Sequence, residues 1–203
     1  SNLGGELLPQ ESLDGYCLLI IVAGNDTSRN SMSGTIRLMT EFPDQRAMVL
    51  EDPSLIPKMS EEALRMVSPV IHMRRTAMED TELNGQKIAK DEKLVLWYGA
   101  ANRDPTIFPN PDIFDMHRNN VEKHLAFGHG MHKCLGSRIA KMQLRLAFER
   151  IFDRFPNIHW TGKQTISPNS LVHAISSLQV NLYGPNGKRP THVSVGYRVG
   201  RAF

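Results

Sequence analysis

The sequence predicts a mainly α-helical protein with small β-sheets, an α+β fold, and three observations lead to that class. Residues 11–42 carry apolar side chains at the spacing of one long helix. Asn84-Gly85, set between two short strand-like runs, is typical of a two-residue β-hairpin turn. Residues 139–148 repeat the helical period after a glycine-rich loop, which predicts a second long helix.

The first predicted helix spans residues 11–42, and Ser12 or Asp14 could cap its start. Either side chain accepts hydrogen bonds from the first backbone N–H groups of a helix, which have no partner inside it. It carries an apolar stripe at helical spacing, formed by Tyr16, Leu19, Ile20 and Ala23.

Proline, glycine and asparagine separate the remaining elements. Proline marks helix ends because it lacks a backbone N–H and restricts the residue before it. The predicted order is a helix at 44–50, a helix at 53–67, strands between 73 and 95 with a hairpin of 80–83 and 86–88, an irregular meander at 102–124, a helix to about 155, and strands at 158–160 and 178–182.

The composition is that of an ordinary globular domain, with 40% hydrophobic and 22% charged residues in 203. A net charge of +3 without a basic block gives no sign of nucleic-acid binding. Only two cysteines, Cys17 and Cys134, fit a reducing compartment, so a cytoplasmic protein is expected. The apolar stretch 16–24 is too short for a membrane span.

The richest motif is the run at residues 127–136, which places Cys134 in a glycine-rich loop just before a helix. Backbone N–H groups and the positive end of a helix favour a charged thiolate there. The glycines at 128, 130 and 136 would let a large flat ligand approach the backbone closely. A haem iron with one axial thiolate has these requirements.

Residues 127–136 resemble the haem-binding loop of the cytochrome P-450 monooxygenases, Phe-Gly-x-Gly-x-(His/Arg)-x-Cys-x-Gly. The resemblance implies haem b, with Cys134 as the iron's ligand, and Phe127, Gly128 and Gly136 around the sulfur. It implies that His132 and Arg75 bind the haem carboxylates. An inert buried cysteine is one alternative. A zinc site is another, formed by His124, His129, His132 and Cys134, although these lack the paired spacing of structural zinc ligands.

Residues 23–28 are similar to the oxygen-activation motif of the same family, in the middle of its long oxygen-binding helix. The resemblance implies that Ala23 and Gly24 lie against the haem where the helix breaks locally to admit O2. Thr27 would donate a hydrogen bond to the dioxygen and Asp26 would relay protons, which is general-acid catalysis. The alternative is that Asn25 or Asp26 caps a new helix.

Glu62 and Arg65, three residues apart on one predicted helix, resemble the family's Glu-x-x-Arg signature. The resemblance adds Arg118 from the meander and implies a buried structural network, without a catalytic role. Taken alone, such a pair is more often solvated and contributes little to stability.

Residues 24–32, 73–85 and 97–104 are similar to the soluble bacterial alkane and fatty-acid ω-hydroxylases of this family. This implies hydroxylation of terminal methyl groups, with O2 and with electrons from a ferredoxin and its reductase. Sterol or terpenoid hydroxylases of the family, a peroxide-using relative and an inactive haem-binding fragment are the alternatives. Apolar candidates for substrate contact are Ile20, Val70, Met73, Leu171 and Val172.

The resemblance extends over residues 13–182 and corresponds to the C-terminal half of the family's domain. Residues 1–184 are therefore expected to form a partial haem domain, and the chain is interpreted as a fragment. Residues 185–203 match no part of the family pattern and are expected to form a flexible tail.

Overall fold

The computed structural model describes residues 2–3 and 6–183, and it confirms the α+β class. The expected tail, residues 185–203, lies outside the described residues. The elements in chain order are β1 (Asn2–Leu3), β2 (Glu6–Leu7), α1 (Gln10–Glu41), α2 (Pro43–Glu51), a 3₁₀ turn (Pro53–Leu55), α3 (Ile56–Val67), β3 (His72–Thr76), β4 (Thr81–Leu83), β5 (Gln86–Ile88), β6 (Lys93–Trp97), α4 (Tyr98–Ala101), 3₁₀ turns at Val121–Lys123 and Gly130–His132, α5 (Ser137–Arg154), β7 (His159–Ile166) and β8 (Ile175–Asn181).

Helix α1 runs for 32 residues, as the apolar period predicts, but its predicted cap is wrong. The helix begins after Pro9, whose φ of −53° and missing N–H suit the position before a helix. Ser12 and Asp14 therefore lie inside the helix rather than at its cap. Asp14 instead accepts a hydrogen bond from the Gln10 side chain at 2.7 Å.

The hydrophobic core forms where α1, α3 and α5 pack against one another. Leu38 and Met39 of α1, Met59 and Leu64 of α3, and Phe148 of α5 are each at most 2% exposed. Burial of each such side chain stabilises the fold by about 1.5–3 kcal/mol. The C-terminal half of α1 is therefore anchored to the helix that follows Cys134.

Gly34 lets α1 approach α3 closely. A Cβ atom on residue 34 would lie only 2.5 Å from Cγ2 of Val67, a separation that real Cβ atoms do not show. The Val67 side chain is stiff because it is β-branched, so it cannot turn away cheaply.

The sheets of the described residues are two-stranded antiparallel pairs. Strand β3 pairs with β6, which places Arg75 opposite Leu94. Strands β4 and β5 form the predicted hairpin, with positive φ at Asn84 (49°) and Gly85 (81°), as that turn requires. Strands β7 and β8 are longer than predicted, because register shifts between them obscure the alternation in the sequence.

The first half of α1 lies on the surface. The apolar residues 18–22 are each 59–68% exposed. Five consecutive apolar residues cover every side of a helix, a pattern typical of a buried helix. None of the helices in the described part of the chain is long and apolar enough to cross a membrane.

We predict that Gly34→Ala lowers the free energy of unfolding by about 1–3 kcal/mol, the usual cost of overpacking a core. In a Val67→Ala background the two γ-methyl groups are gone and the nearest remaining atom is the Cβ of residue 67 at 3.3 Å, so the same change should cost clearly less, and the helix preference of alanine offsets part of that cost. Urea unfolding of the four chains measures both values. An equal cost in both backgrounds would contradict the close approach.

Candidate functional site

The loop from Phe127 to Gly136 is closed by one backbone hydrogen bond. The Cys134 N–H donates to the Phe127 carbonyl at 2.8 Å, so the two ends of the loop meet. Gly128 and Gly130 have φ values of +69° and +71°, a backbone conformation in which a side chain is strained. Space is open beside Gly130, where an added Cβ would meet no atom within 4 Å. The glycines thus shape the loop as well as leaving room beside it.

The Cys134 side chain is exposed and stands before the N-terminus of α5. No side chain caps that N-terminus, so its positive end is available to a thiolate. Met131 and Leu135, on either side of the cysteine, are 94% and 92% exposed. A soft sulfur ligand between apolar side chains suits a large, flat, metal-containing ligand. Haem therefore fits this loop.

The structure does not gather the residues of the zinc alternative. Among the residues that it describes, no three His, Cys, Asp or Glu side chains converge on a common point.

A buried ionic network lies behind the loop and brings together the three residues of the Glu-x-x-Arg interpretation. Arg65 donates two hydrogen bonds of 2.8 Å to the Glu62 carboxylate, and both side chains are 0% exposed. Arg118 donates to the same carboxylate at 3.1 Å. Arg65 also donates to the carbonyl of Asn102 at 2.7 Å and lies over the Phe108 ring.

Asn102 connects this network to the loop, a role that sequence reasoning did not assign. Its side-chain oxygen accepts a hydrogen bond of 2.6 Å from the Leu125 N–H, two residues before Phe127. Its amide nitrogen donates to Ser68 at 2.8 Å. Asn102 is fully buried. In the sequence, only its place in the family-like stretch 97–104 points to it.

A second cluster, Glu61, His124 and Lys141, lies against the Phe127 ring. His124 Nε2 lies 3.1 Å from one Glu61 oxygen, and Lys141 Nζ lies 2.5 Å from the other. The Ala126 N–H donates to His124 Nδ1, which leaves Nε2 as the donor to Glu61. Burial raises the pKa of Glu61, but hydrogen bonds from His124 and Lys141, together with the charge of Lys141, outweigh it and lower the pKa below its ordinary value.

Asp26 and Thr27 share the middle of α1, but they are not bonded to each other. Asp26 pairs with Arg29 at 3.1 Å, and Thr27 Oγ1 donates to the Ala23 carbonyl at 2.7 Å. Ser28 bonds Gln143 of α5 at 3.1 Å, which ties the segment to the helix that follows Cys134.

The predicted local break at residues 23–28 is wrong for this structure, because the helix continues through it. Hydroxyl back-bonding of the kind that Thr27 makes bends a helix without breaking it. The alternative of a new helix capped at residue 25 or 26 is wrong for the same reason. Gly24 has open space beside it, where an added Cβ would meet no atom within 4 Å.

Arg75 and the loop border a cavity of about 1120 Å³. Strand β6, the end of the meander, the loop and the start of α5 form its other walls. The cavity is rich in cationic side chains, namely Arg75, Lys123, Lys133, Arg138 and Lys141. Arg75 donates to the Arg74 carbonyl at 3.0 Å, while His132 lies exposed in the 3₁₀ turn of the loop.

The structure brings three of the candidate substrate residues together. Val70 pairs with Val172 in an isolated β-bridge, and the Ile71 N–H donates to the Leu171 carbonyl at 2.8 Å. Met73 follows on β3 and is 38% exposed. Ile20 lies apart from this group in sequence and element, on the exposed first half of α1.

Comparisons with known proteins point to one family. A family model described as cytochrome P-450 matches residues 54–182. Linalool 8-monooxygenase of Pseudomonas putida is 41% identical over 90% of this chain and 45% of its own length. The methyl-branched lipid omega-hydroxylase of Mycobacterium tuberculosis is 36% identical over 89% of this chain and 42% of its own length.

The fold is shared with a solved structure, the cytochrome P-450-153 from Novosphingobium aromaticivorans. That structure aligns with a TM-score of 0.77 and 45% identity, and covers 82% of this chain and 42% of that one. The chain therefore spans less than half the length of these relatives.

We predict that Glu62→Gln lowers the free energy of unfolding by about 3–5 kcal/mol, because it leaves buried Arg65 without its counter-charge. Glu149→Gln is the matched control, since Glu149 forms an exposed pair with Arg145 at 3.4 Å. The control should cost no more than about 0.5 kcal/mol. Equal costs in urea unfolding would contradict the importance of the network.

We predict that Glu61 stabilises the fold in a pH-dependent way. Because its pKa is lowered on folding, its contribution is fully present above the unfolded pKa of about 4.3 and is lost as the pH falls through the folded value. The stability difference between the native sequence and Glu61→Gln should therefore shrink in urea unfolding as the pH falls below about 4. A difference that stays constant with pH would contradict the assignment.

Proposed function

Because this chain belongs to the cytochrome P-450 family, we propose that it carries the haem-thiolate centre of a monooxygenase. In this proposal Cys134 would supply the thiolate that binds the iron of haem b. The observation that carries it is the Cys134 loop, which presents an exposed sulfur between apolar side chains at the positive end of α5. When bound, haem supplies the activation of O2 for insertion of one oxygen atom into a C–H bond.

The other haem contacts follow from the same proposal. Phe127, Gly128 and Gly136 would hold the haem beside the sulfur, and Ala23 and Gly24 of α1 would also contact it. His132 and Arg75 bind the carboxylates, because buried carboxylates need charge-assisted partners. The open space beside Gly24 and Gly130 supports close approach of a flat ligand to both segments.

Asp26 and Thr27 deliver protons in the proposed reaction. The ion pair between Asp26 and Arg29 is half exposed and therefore weak. The Asp26 carboxylate can thus exchange protons with solvent. Thr27 donates its proton to the Ala23 carbonyl, so Oγ1 offers only lone pairs to a ligand. Donation toward O2 requires this bond to break, at a cost of about 1 kcal/mol.

The substrate that we propose is an alkane or fatty acid hydroxylated at a terminal methyl group. The apolar set of Val70, Met73, Leu171 and Val172 supports a hydrocarbon substrate, because such a site needs few polar groups. A relative named as a methyl-branched lipid omega-hydroxylase supports the same class. The second candidate is a terpenoid substrate, favoured by the identity of 41% to linalool 8-monooxygenase.

Electrons are proposed to come from a ferredoxin and its reductase. The cationic side chains around the cavity beside the loop support this, because a positive surface attracts an acidic carrier and speeds the encounter. The association should therefore weaken as the salt concentration rises.

We predict that the reduced, haem-reconstituted chain with carbon monoxide gives the red-shifted Soret band of a thiolate-ligated haem. Cys134→Ala should abolish that band, because no other residue is proposed to supply the thiolate. Cys17→Ser is the matched control and should retain it, since Cys17 lies on the exposed part of α1. The measurement is the difference spectrum of the three chains.

Loss of the band in both variants, or in neither, would contradict the role of Cys134. A thiolate spectrum without hydroxylation, when redox partners and fatty acid or terpenoid are added, would favour the alternative of an inactive haem-binding chain.

A further inference from the structure

We propose that Glu61, His124 and Lys141 act together as a positioning group for Phe127, and through Phe127 for Cys134. We call these three residues the Phe127 clamp. The inference rests on the proposed role of Cys134 as the haem ligand. The haem-ligand role of Cys134 alone gives no function to these three residues, which come from three parts of the chain. The inference assigns them one.

The clamp holds Phe127 by its side chain. Lys141 Nζ lies 5.6 Å from the centre of the Phe127 ring, within the range of a cation–π interaction. The His124 and Phe127 rings are 5.8 Å apart, centre to centre. Glu61 orients both His124 and Lys141, because one of its carboxylate oxygens bonds His124 and the other bonds Lys141.

Phe127 passes this position to Cys134 through its backbone. Its carbonyl accepts the Cys134 N–H at 2.8 Å, which is the bond that closes the loop. A shift of Phe127 therefore moves the backbone that carries the thiol.

The loop has anchors other than the clamp, so an effect of the clamp on Cys134 can be distinguished from an effect on the stability of the loop. The chain just before Phe127 is already held by Asn102, which accepts the Leu125 N–H at 2.6 Å. The Gly128 N–H also donates to the Leu125 carbonyl at 2.9 Å. The loop thus keeps these anchors when the clamp is removed. Lys141 itself is 43% exposed, so its replacement leaves no buried charge of its own.

The first test measures the thiol itself and needs no haem. In a Cys17→Ser background, Cys134 is the single cysteine, and its rate of alkylation by iodoacetamide can be followed. Lys141→Met should raise that rate about threefold to tenfold, because a freed Phe127 loosens the backbone bond that closes the loop and gives the already exposed thiol more freedom to meet the reagent. Lys141→Arg retains a cation for both the ring and Glu61, so it should restore the native rate.

The matched control is Arg145→Met on the same helix. Arg145 also pairs with a glutamate, Glu149 at 3.4 Å, and is half exposed. The control removes a similar cation from α5 but leaves the clamp intact, so its alkylation rate should equal that of the parent. Glu61→Gln is a second variant, which releases Lys141 from Glu61 and should raise the rate in the same direction.

The second test uses the haem-reconstituted chain. The position of the sulfur and the groups around it tune the spectrum and the reduction potential of a thiolate-bound iron. Lys141→Met should therefore shift both the potential and the Soret band, and Lys141→Arg should restore both, whereas Arg145→Met should change neither. Equal alkylation rates and equal potentials in Lys141→Met, Glu61→Gln and Arg145→Met would overturn the clamp.

The two proposals fail in distinguishable ways. If no chain gives a thiolate spectrum, the haem-thiolate function fails, while the alkylation rates still decide whether the clamp positions Cys134. If all chains give an unshifted thiolate spectrum and equal alkylation rates, the function stands and the clamp is overturned.

Discussion

The buried bond between Glu62 and Arg65 is the constraint on which the rest of the structure depends. Two fully buried charges are stable only when paired and hydrogen-bonded, and this pair draws its remaining partners from the meander. Arg118 donates a further hydrogen bond to the Glu62 carboxylate, and the Asn102 carbonyl accepts one from Arg65. The irregular chain between α4 and the Cys134 loop is thereby fixed to α3 without a helix or strand of its own.

Asn102 extends this constraint to the candidate site. Its side chain joins α3 to the chain that enters the loop, and the Cys134 N–H then closes the loop on Phe127. The thiol is placed by a sequence of hydrogen bonds that begins in the core. The Phe127 clamp adds a second connection from α3, because Glu61 and Glu62 are adjacent on that helix. Helix α3 therefore supports the loop in two ways, through the buried Glu62 network and through the clamp residue Glu61.

Helix α1 divides into two parts with different surroundings. Its second half is packed into the core, and Gly34 sets how closely it approaches α3. Its first half presents residues 18–22 to solvent, although their pattern is that of a buried helix. The segment with Asp26 and Thr27 lies between the two parts. Its hydroxyl and acid are partly exposed, and Ser28 holds it to α5 at Gln143.

The sequence by itself determined the α+β class, the long helix, the Asn84-Gly85 hairpin and the candidate ligand Cys134, because each rests on a local period, turn or motif. Family resemblance also joined Arg118 to Glu62 and Arg65, although Arg118 lies far along the chain from that pair. Only the tertiary structure decided the unbroken course of α1 through Gly24, the joining role of Asn102 and the cluster of Glu61, His124 and Lys141. These features depend on which side chains meet across distant segments, and neither helical period nor motif spacing records such contacts.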